Sequence, residues 1–418
     1  MRKATLFLAP VGSCAAAVLL VSCANITVVN LPGPSYLYAA SGAAANLPQP
    51  TLTGYTIAAD GSLTPISCAS LANAQLLALT AGRSLLFTSA QPSGPASSVI
   101  SSYSIARDGC LTRASTTDVT AQGAPLSLFL DRQADALYSW VMPDDVDSDW
   151  NSYSVDGSSG ALKFTGEIGA GVPTYLRSAG ISALPAGMLA FTPDDSFAVS
   201  STWDFLGSTG ISVYQRSADG TLQASNIFGN SPAGRGSAIF ATIGAAADLS
   251  GHLIVAGSIC TDYSRCSETI RLAVYTFDSR HNLTTQSNPQ TMATPPSGGY
   301  ISGYAFSPDS LYFAVASGGG IDVYQWDAAD ALLHYLDSIT LRGNGFSGEI
   351  LQAFTWDRYD HLIFASEERP TDGELPDTGL VQVYSVTPSG VAPARGSPYP
   401  LRYPHLLTAV NIPLRSPF

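Results

Sequence analysis

Apolar and polar positions alternate in short runs along most of the chain, and Gly, Pro, Asp and Ser break the runs. The stretch YAFSPDSLYFAVASGGGIDVYQWDAADALLHYLDS, Tyr304 to Ser338, shows the pattern in full. Period-two alternation of β-branched and aromatic residues predicts strands rather than helices. Four are expected, at Ile301–Phe306, Leu311–Ser317, Ile321–Trp326 and Leu332–Ser338. Ser307-Pro308-Asp309 and Gly318–Gly320 supply turns between them.

The same unit recurs seven times. Its third strand carries a tyrosine in every copy: Tyr55, Tyr103, Tyr153, Tyr214, Tyr275, Tyr324 and Tyr384, spaced 48 to 61 residues apart. Repeats of this period mean a solenoid or a propeller. Four antiparallel strands per unit without helical period select the all-β propeller blade. The first unit begins at its second strand, Tyr36-Leu37-Tyr38-Ala39. Pro404 to Val410 resembles the missing first strand, so the C-terminus is expected to complete the first blade and close a seven-bladed ring. The propeller then spans residues 31–413 as one domain, with a tail at 414–418.

The N-terminus departs from this pattern. Arg2 and Lys3 precede an apolar run from Leu6 to Leu20, interrupted by Pro10, Gly12 and Ser13 and ending in Leu20-Val21-Ser22-Cys23. The run is short and broken for a membrane span. It resembles a bacterial lipoprotein signal, which implies removal of residues 1–22, lipid on Cys23 and a linker over 23–30. An ordinary secretory signal is the plainer reading of the same residues. The lipoprotein reading places the protein in the cell envelope, at the outer membrane, held only by its lipid. Ala24 carries no obvious inner-membrane retention signal.

The full chain has 19 Lys+Arg against 32 Asp+Glu; without Arg2 and Lys3 the balance is 17 against 32, a net charge of −15. Such acidity argues against nucleic acid, which needs basic patches. Of six cysteines, four follow Cys23. Cys260 and Cys266 bracket five residues and could close that loop as a disulfide in an oxidising compartment. Cys68 and Cys110 fall on outer strands of neighbouring blades, which splay apart, and this argues against a bridge between them.

Asp60-Gly61, Asp108-Gly109 and Asp219-Gly220 are hairpin signals between third and fourth strands. These turns and those joining first to second strands lie on one side of the disc. The other side carries longer, variable connections, where function usually sits. Its candidates for ligand binding are Asp145, Asp147, Asp149 and Trp150 in the third unit, Trp203 and Asp204 in the fourth, and Glu367 and Arg369 in the seventh. Arg177 and Arg235, in blade crossings, could hold an anion or be ordinary surface arginines. Asp145-x-Asp147-x-Asp149 has the spacing that opens a calcium loop. The glycine needed at position six is Trp150 and no glutamate closes the frame, so a solvated acidic loop competes with a Ca2+ site. No other cofactor or metal is implied. Carboxylates interleaved with aromatics suit carbohydrate, a cationic ligand or an envelope protein partner.

Seven units, the Ser-Pro-Asp turn and the Val-Tyr third strand (Val213-Tyr214, Val274-Tyr275, Val323-Tyr324, Val383-Tyr384) resemble the lactonase-type or YVTN-type seven-bladed propellers of bacteria. The resemblance implies the fold over residues 31–413, and a lactone hydrolase of the 6-phosphogluconolactonase kind as one activity. Histidines in first strands, frequent in such hydrolases, are absent here except for His405, which also reads as a hydrogen-bonded core or channel residue. There is no Gly-x-Ser-x-Gly elbow and no His-Glu-x-x-His. Gly343-x-Gly345-x-x-Gly348 lies between strands rather than opening a helix. The sequence therefore favours a monomeric, lipid-anchored binding or scaffold propeller, with a lactone hydrolase as the alternative.

Overall fold

The computed structural model describes residues 33–42, 51–72, 76–91, 97–141, 149–169, 189–201, 211–225, 227, 232, 239–262, 265–277, 282–285, 289–292, 301–317, 320–341, 348–369 and 379–412. Seven antiparallel sheets form the blades of one ring. From the inner strand outward, blade 2 is Leu76–Gly82, Leu85–Ala90, Val99–Ile105 and Leu111–Asp118. Blade 3 is Pro125–Leu130, Ala136–Val141, Asp149–Val155 and Leu162–Gly169. Blade 4 is Leu189–Phe191, Phe197–Ser201, Ile211–Arg216 and Leu222–Ala224. Blade 5 is Ile239–Ala247, His252–Asp262, Arg265–Phe277 and Leu283–Thr285. Blade 6 is Ile301–Phe306, Tyr312–Ser317, Gly320–Asp327 and Leu332–Thr340. Blade 7 is Gly348–Trp356, His361–Arg369, Gly379–Thr387 and Gly390–Pro393.

Blade 1 joins the two ends of the chain. Ser35–Ser41, Thr51–Ile57 and Leu63–Ala72 take Pro404–Asn411 as their inner strand, in register from Ser35↔Asn411 to Ala40↔Leu406. The expected closure is therefore present. Ser35 Oγ also donates to Asn411 Oδ1 at 2.8 Å.

The tyrosine repeat marks a common register. Each third-strand tyrosine faces an apolar second-strand residue: Leu37↔Tyr55, Leu86↔Tyr103, Leu137↔Tyr153, Ala198↔Tyr214, Leu253↔Tyr275, Phe313↔Tyr324 and Leu362↔Tyr384. There is no single core. Seven apolar clusters fill the seven spaces between neighbouring blades, for example Phe87, Ile100, Leu137 and Tyr153 between blades 2 and 3. Both faces of the second strands are buried, so these strands read as near-continuous apolar runs.

The tight-turn side is held by side chains that satisfy backbone groups. Gly61, Gly109 and Gly220 adopt φ of 77°, 82° and 87°, as the Asp-Gly signals require. Asp60, Asp108 and Asp219 each accept the amide two residues on. Tyrosine hydroxyls then lock one blade to the next: Tyr38 donates to Gly109 O and Tyr138 to Gly220 O, both at 2.8 Å. Arg132 of blade 3 reaches Phe191 O in blade 4 and Asp248 O in blade 5, and Arg216 pairs with the buried Asp131 across blades 3 and 4.

One feature corrects the sequence reading. Cys68 and Cys110 form a disulfide, with Cα atoms 5.0 Å apart. Outer strands do splay, but the register between Thr51–Ile57 and Leu63–Ala72 shifts from Thr53↔Ser70 to Gly54↔Ile66. That bulge carries Cys68 out towards the turn of blade 2, where Cys110 follows Gly109. Cys260 and Cys266 face each other across their hairpin, as the loop-closing pair requires of the backbone; their side chains lie outside the described set.

Candidate functional site

Both ends of the ring's central opening are built by inner strands, and the two ends differ. At the tight-turn end, the first residue of the turn caps it. Asp248 Oδ1 accepts the amides of Ser250 (2.9 Å) and His252 (2.7 Å); Oδ2 accepts from His252 Nδ1 (2.9 Å) and from Trp326 Nε1 of blade 6 (3.0 Å). Burial alone would raise the carboxyl of Asp248. Hydrogen bonds from Ser250, His252 and Trp326 outweigh it and hold the carboxyl below its ordinary value. Asp357 repeats the clamp in blade 7, accepting from His361 Nδ1 at 2.8 Å. His361 is 3% exposed and its Nε2 packs against Gly61 of blade 1. These two Asp–His pairs are structural fastenings, and the Asp-x-x-x-His spacing at both was a signal the sequence reading passed over.

At the loop-rich end, the inner strand bulges at one fixed place. In six blades the register slips by one residue between the third and fourth positions after the tyrosine's partner: Ala40/Ser41, Ser89/Ala90, Trp140/Val141, Ala256/Gly257, Ala316/Ser317 and Ala365/Ser366. In blade 4 that register falls outside the described residues. The extra residues are His405, Leu77, Leu126, Ile243, Ser302 and Gln352 in blades 1, 2, 3, 5, 6 and 7. Bulges re-aim side chains at barrel rims and beside functional sites. This rim is divided: blades 7 and 1 place Gln352 and His405 side by side, and blades 2 and 3 place Leu77 and Leu126. Leu126 is 39% exposed, a large apolar side chain open to the mouth.

His405 is the one titratable member. The bulge turns it towards blade 2, where Nε2 lies 3.2 Å from Leu76 O. A carbonyl can only accept, so Nε2 carries the proton and Nδ1 keeps its lone pair. Nδ1 meets no partner in hydrogen-bonding geometry. Burial holds the imidazole below the ordinary histidine range, only partly offset by the backbone of Leu76, Ala40 and Tyr403 around the ring, so the ring is neutral at pH 7. Beside it in blade 7, Glu349 Oε1 accepts from Ser366 Oγ (2.7 Å) and Gln382 Nε2 (2.5 Å). Among the described inner-strand residues, His405 is the one histidine and Glu349 the one carboxylate, and none is basic.

The residues singled out by sequence are dispersed. Trp150 is a strand residue, wholly buried between blades 3 and 4, edge-on to Phe129 at 5.6 Å. It belongs to the core rather than to a loop. Asp149 opens the same strand, half-buried. Glu367 is 2% exposed in the second strand of blade 7, opposite Gly379; Arg369 ends that strand, its side chain outside the described set. Cys23, Asp145, Asp147, Arg177, Trp203, Asp204 and Arg235 lie outside the described residues. The bulge ring was invisible to the sequence reading because an extra residue has no composition of its own; only the pairing of strands exposes it.

No family model matches the chain, and no curated protein matches it either. Solved structures do. A protein of Bacteroides fragilis assigned as a 6-phosphogluconolactonase superposes with a TM-score of 0.60 at 14% identity, over 92% of this chain and 100% of its own. The fold is that of the 6-phosphogluconolactonase-like propellers. A Bacteroides uniformis protein with the same assignment gives 0.60 at 11% identity, over 90% and 99%. The periplasmic gluconolactonase of Pseudomonas aeruginosa gives 0.60 at 15% identity, over 91% and 100%. Identities this low carry the fold and no more.

Proposed function

We propose that this chain is a lipid-anchored propeller of the cell envelope that binds a carbohydrate or an envelope protein at its loop-rich mouth. One observation supports the binding reading above the others. The bulged rim sets a polar arc (Gln352, His405) against an apolar arc (Leu77, Leu126). A sugar ring or a protein loop has one polar edge and one apolar face and matches such a division. Hydrolysis asks for something else: a base, an acid and donors aimed at one oxygen. The described inner strands offer one neutral imidazole and one carboxylate already engaged by Ser366 and Gln382.

The alternative is lactone hydrolysis in the periplasm. The name of the Pseudomonas aeruginosa neighbour favours it, because it joins a lactonase to an exported location. His405 would then be the base, its unpartnered Nδ1 the acceptor.

The readings separate in one assay. Proton release is followed from a panel of aldonolactones with the mature protein and with His405→Gln, alongside calorimetry with neutral oligosaccharides. The binding reading expects no turnover, and saturable binding weakened about tenfold by Gln352→Leu, as for loss of a polar contact. Turnover that disappears in His405→Gln without a change in melting temperature would establish the hydrolase instead. The anchor has its own test: labelled palmitate should enter the wild-type protein and not Cys23→Ser.

A further inference from the structure

The tight-turn face carries a second site. Its turns repeat closely, so departures from the repeat are conspicuous. The residue two before the tyrosine's partner is Ser35, Ser84, Asp135, Ser196, Gly251 and Asp360 in six blades. In blade 6 it is Leu311, and this side chain is 54% exposed. In the adjoining turn of blade 5, Leu249 follows the clamp residue Asp248 and is 53% exposed. Leu332, paired with Asp327 across the next hairpin, is 50% exposed. Three large apolar side chains thus stand exposed around blades 5 and 6, where the other blades place polar or small residues, proline among them.

Between Leu249 and Leu311 opens a cleft of about 540 Å³, floored by Trp326 and edged by Asp309 and Asp327. That volume is in the range of sites that take one or two bulky side chains. The floor is fixed, because Trp326 Nε1 is bonded to Asp248. Each edge carboxylate uses Oδ1 on its own turn, and Asp309 also shares a hydrogen bond with Asp360 of blade 7. Asp309 Oδ1 accepts from Ser307 Oγ (2.7 Å) and the Leu311 amide (2.9 Å), and Asp327 Oδ1 from the amides of Ala329 (2.9 Å) and Asp330 (3.2 Å). No lysine or arginine lines the cleft, and its one histidine is His334. The leucine walls call for an apolar group, and the two carboxylates call for a cation beside it.

We propose that this cleft docks a protein segment that presents a large apolar side chain next to a lysine or arginine. Charge selects this occupant. A second copy of this chain carries a net charge of −13 and would meet like charge at the cleft. Anionic metabolites and anionic lipid headgroups are opposed by the same carboxylates. The site lies on the face opposite the bulged mouth, so the propeller can hold a partner on one side while the other side stays open.

The test uses fluorescence anisotropy with two labelled peptides of equal length, one alternating leucine and lysine, the other leucine and glutamate. They are titrated against the full-length protein and three variant pairs. The cleft pairs are Leu249→Ser with Leu311→Ser and Asp309→Asn with Asp327→Asn; the control pair is Asp60→Asn with Asp156→Asn, on exposed turns elsewhere. The lysine peptide should bind the wild type and the control alike, at least tenfold more weakly to each cleft pair, and less tightly as salt rises. The glutamate peptide should not bind. Failure of the lysine peptide to bind the wild type, equal binding of both peptides, or equal loss in the control pair would overturn the proposal. So would a wild-type dimer in sedimentation velocity that Leu311→Ser dissociates, since the cleft would then be a self-interface.

Discussion

The two ends of the ring are built from the same strands and use their polar side chains in opposite ways. At the tight-turn end, Asp131, Asp248 and Asp357 are consumed by the backbone amides and partner side chains around them. At the loop-rich end the inner strand slips by one residue in blade after blade, and the residue released differs in chemistry from blade to blade. A repeated fastening tolerates little variety: Thr192 and Ser307 hold the same position in blades 4 and 6, and their hydroxyls meet the equivalent amide. A repeated slip invites variety, because the extra residue pairs with nothing across the strand. The contrast separates the part of the repeat that holds the ring from the part free to specialise.

The largest expected effect lies at the fastened edge. Replacing Cys68 and Cys110 by Ser opens a covalent loop with a sequence separation of 42. Chain entropy alone then predicts a loss of about 4 kcal/mol in urea unfolding. A loss below about 1 kcal/mol would mean that the non-covalent locks between blades 1 and 2 suffice. Asp248→Ala comes next. It strands the amides of Ser250 and His252 and the Trp326 indole, at about 1–3 kcal/mol for each buried group left unsatisfied. About 3 kcal/mol in all is expected. His405→Gln at the mouth keeps a donor for Leu76 O and should shift stability by less than about 1 kcal/mol. Equal penalties at Asp248 and His405 would erase the distinction between the two ends.

The smallest effect is a pH slope. Burial, then the neighbouring carboxylates of Asp309 and Asp357 and a hydrogen bond shared with Asp309, raise Asp360 to about 6; His361 works in the opposite direction. Tyr312 also feels both Asp360 and Asp309. A folded-state value above the unfolded one means the folded chain holds this proton more tightly. The contribution is full below about pH 4 and is lost as pH rises through about 6. Asp360→Asn, at a position whose φ of 60° asparagine accepts, should flatten the fall in melting temperature between pH 5 and 7. An unchanged slope in that variant would remove Asp360 as its source.

Much of the fastened part was legible in the sequence. The tyrosines, the Asp-Gly turns and the C-terminal inner strand are local patterns, and local patterns survive in a string of letters. Trp150 misled because an aromatic beside four aspartates reads as a binding loop, whereas the strand begins one residue earlier, at Asp149, and takes the indole inside. The Cys68–Cys110 bridge was illegible for a related reason: a register shift at Gly54 decides it, and register belongs to pairs of strands. The bulged mouth and the leucine-walled cleft lie further still from sequence. Each is a comparison among seven copies, made possible only once the copies are aligned by their pairing rather than by their letters.

The closure of blade 1 sets an order on biogenesis. Its inner strand, Pro404–Asn411, follows the other six blades in the chain and pairs with Ser35–Ser41, so the ring stays open until that strand has been made. Until then Ser35–Ser41 presents a bare apolar edge, the kind of surface that proteases and chaperones survey. A nascent chain cut short before Pro404 would keep that edge for good. The closing strand thus doubles as a completeness check, admitting to the stable pool only molecules translated through Pro404–Asn411.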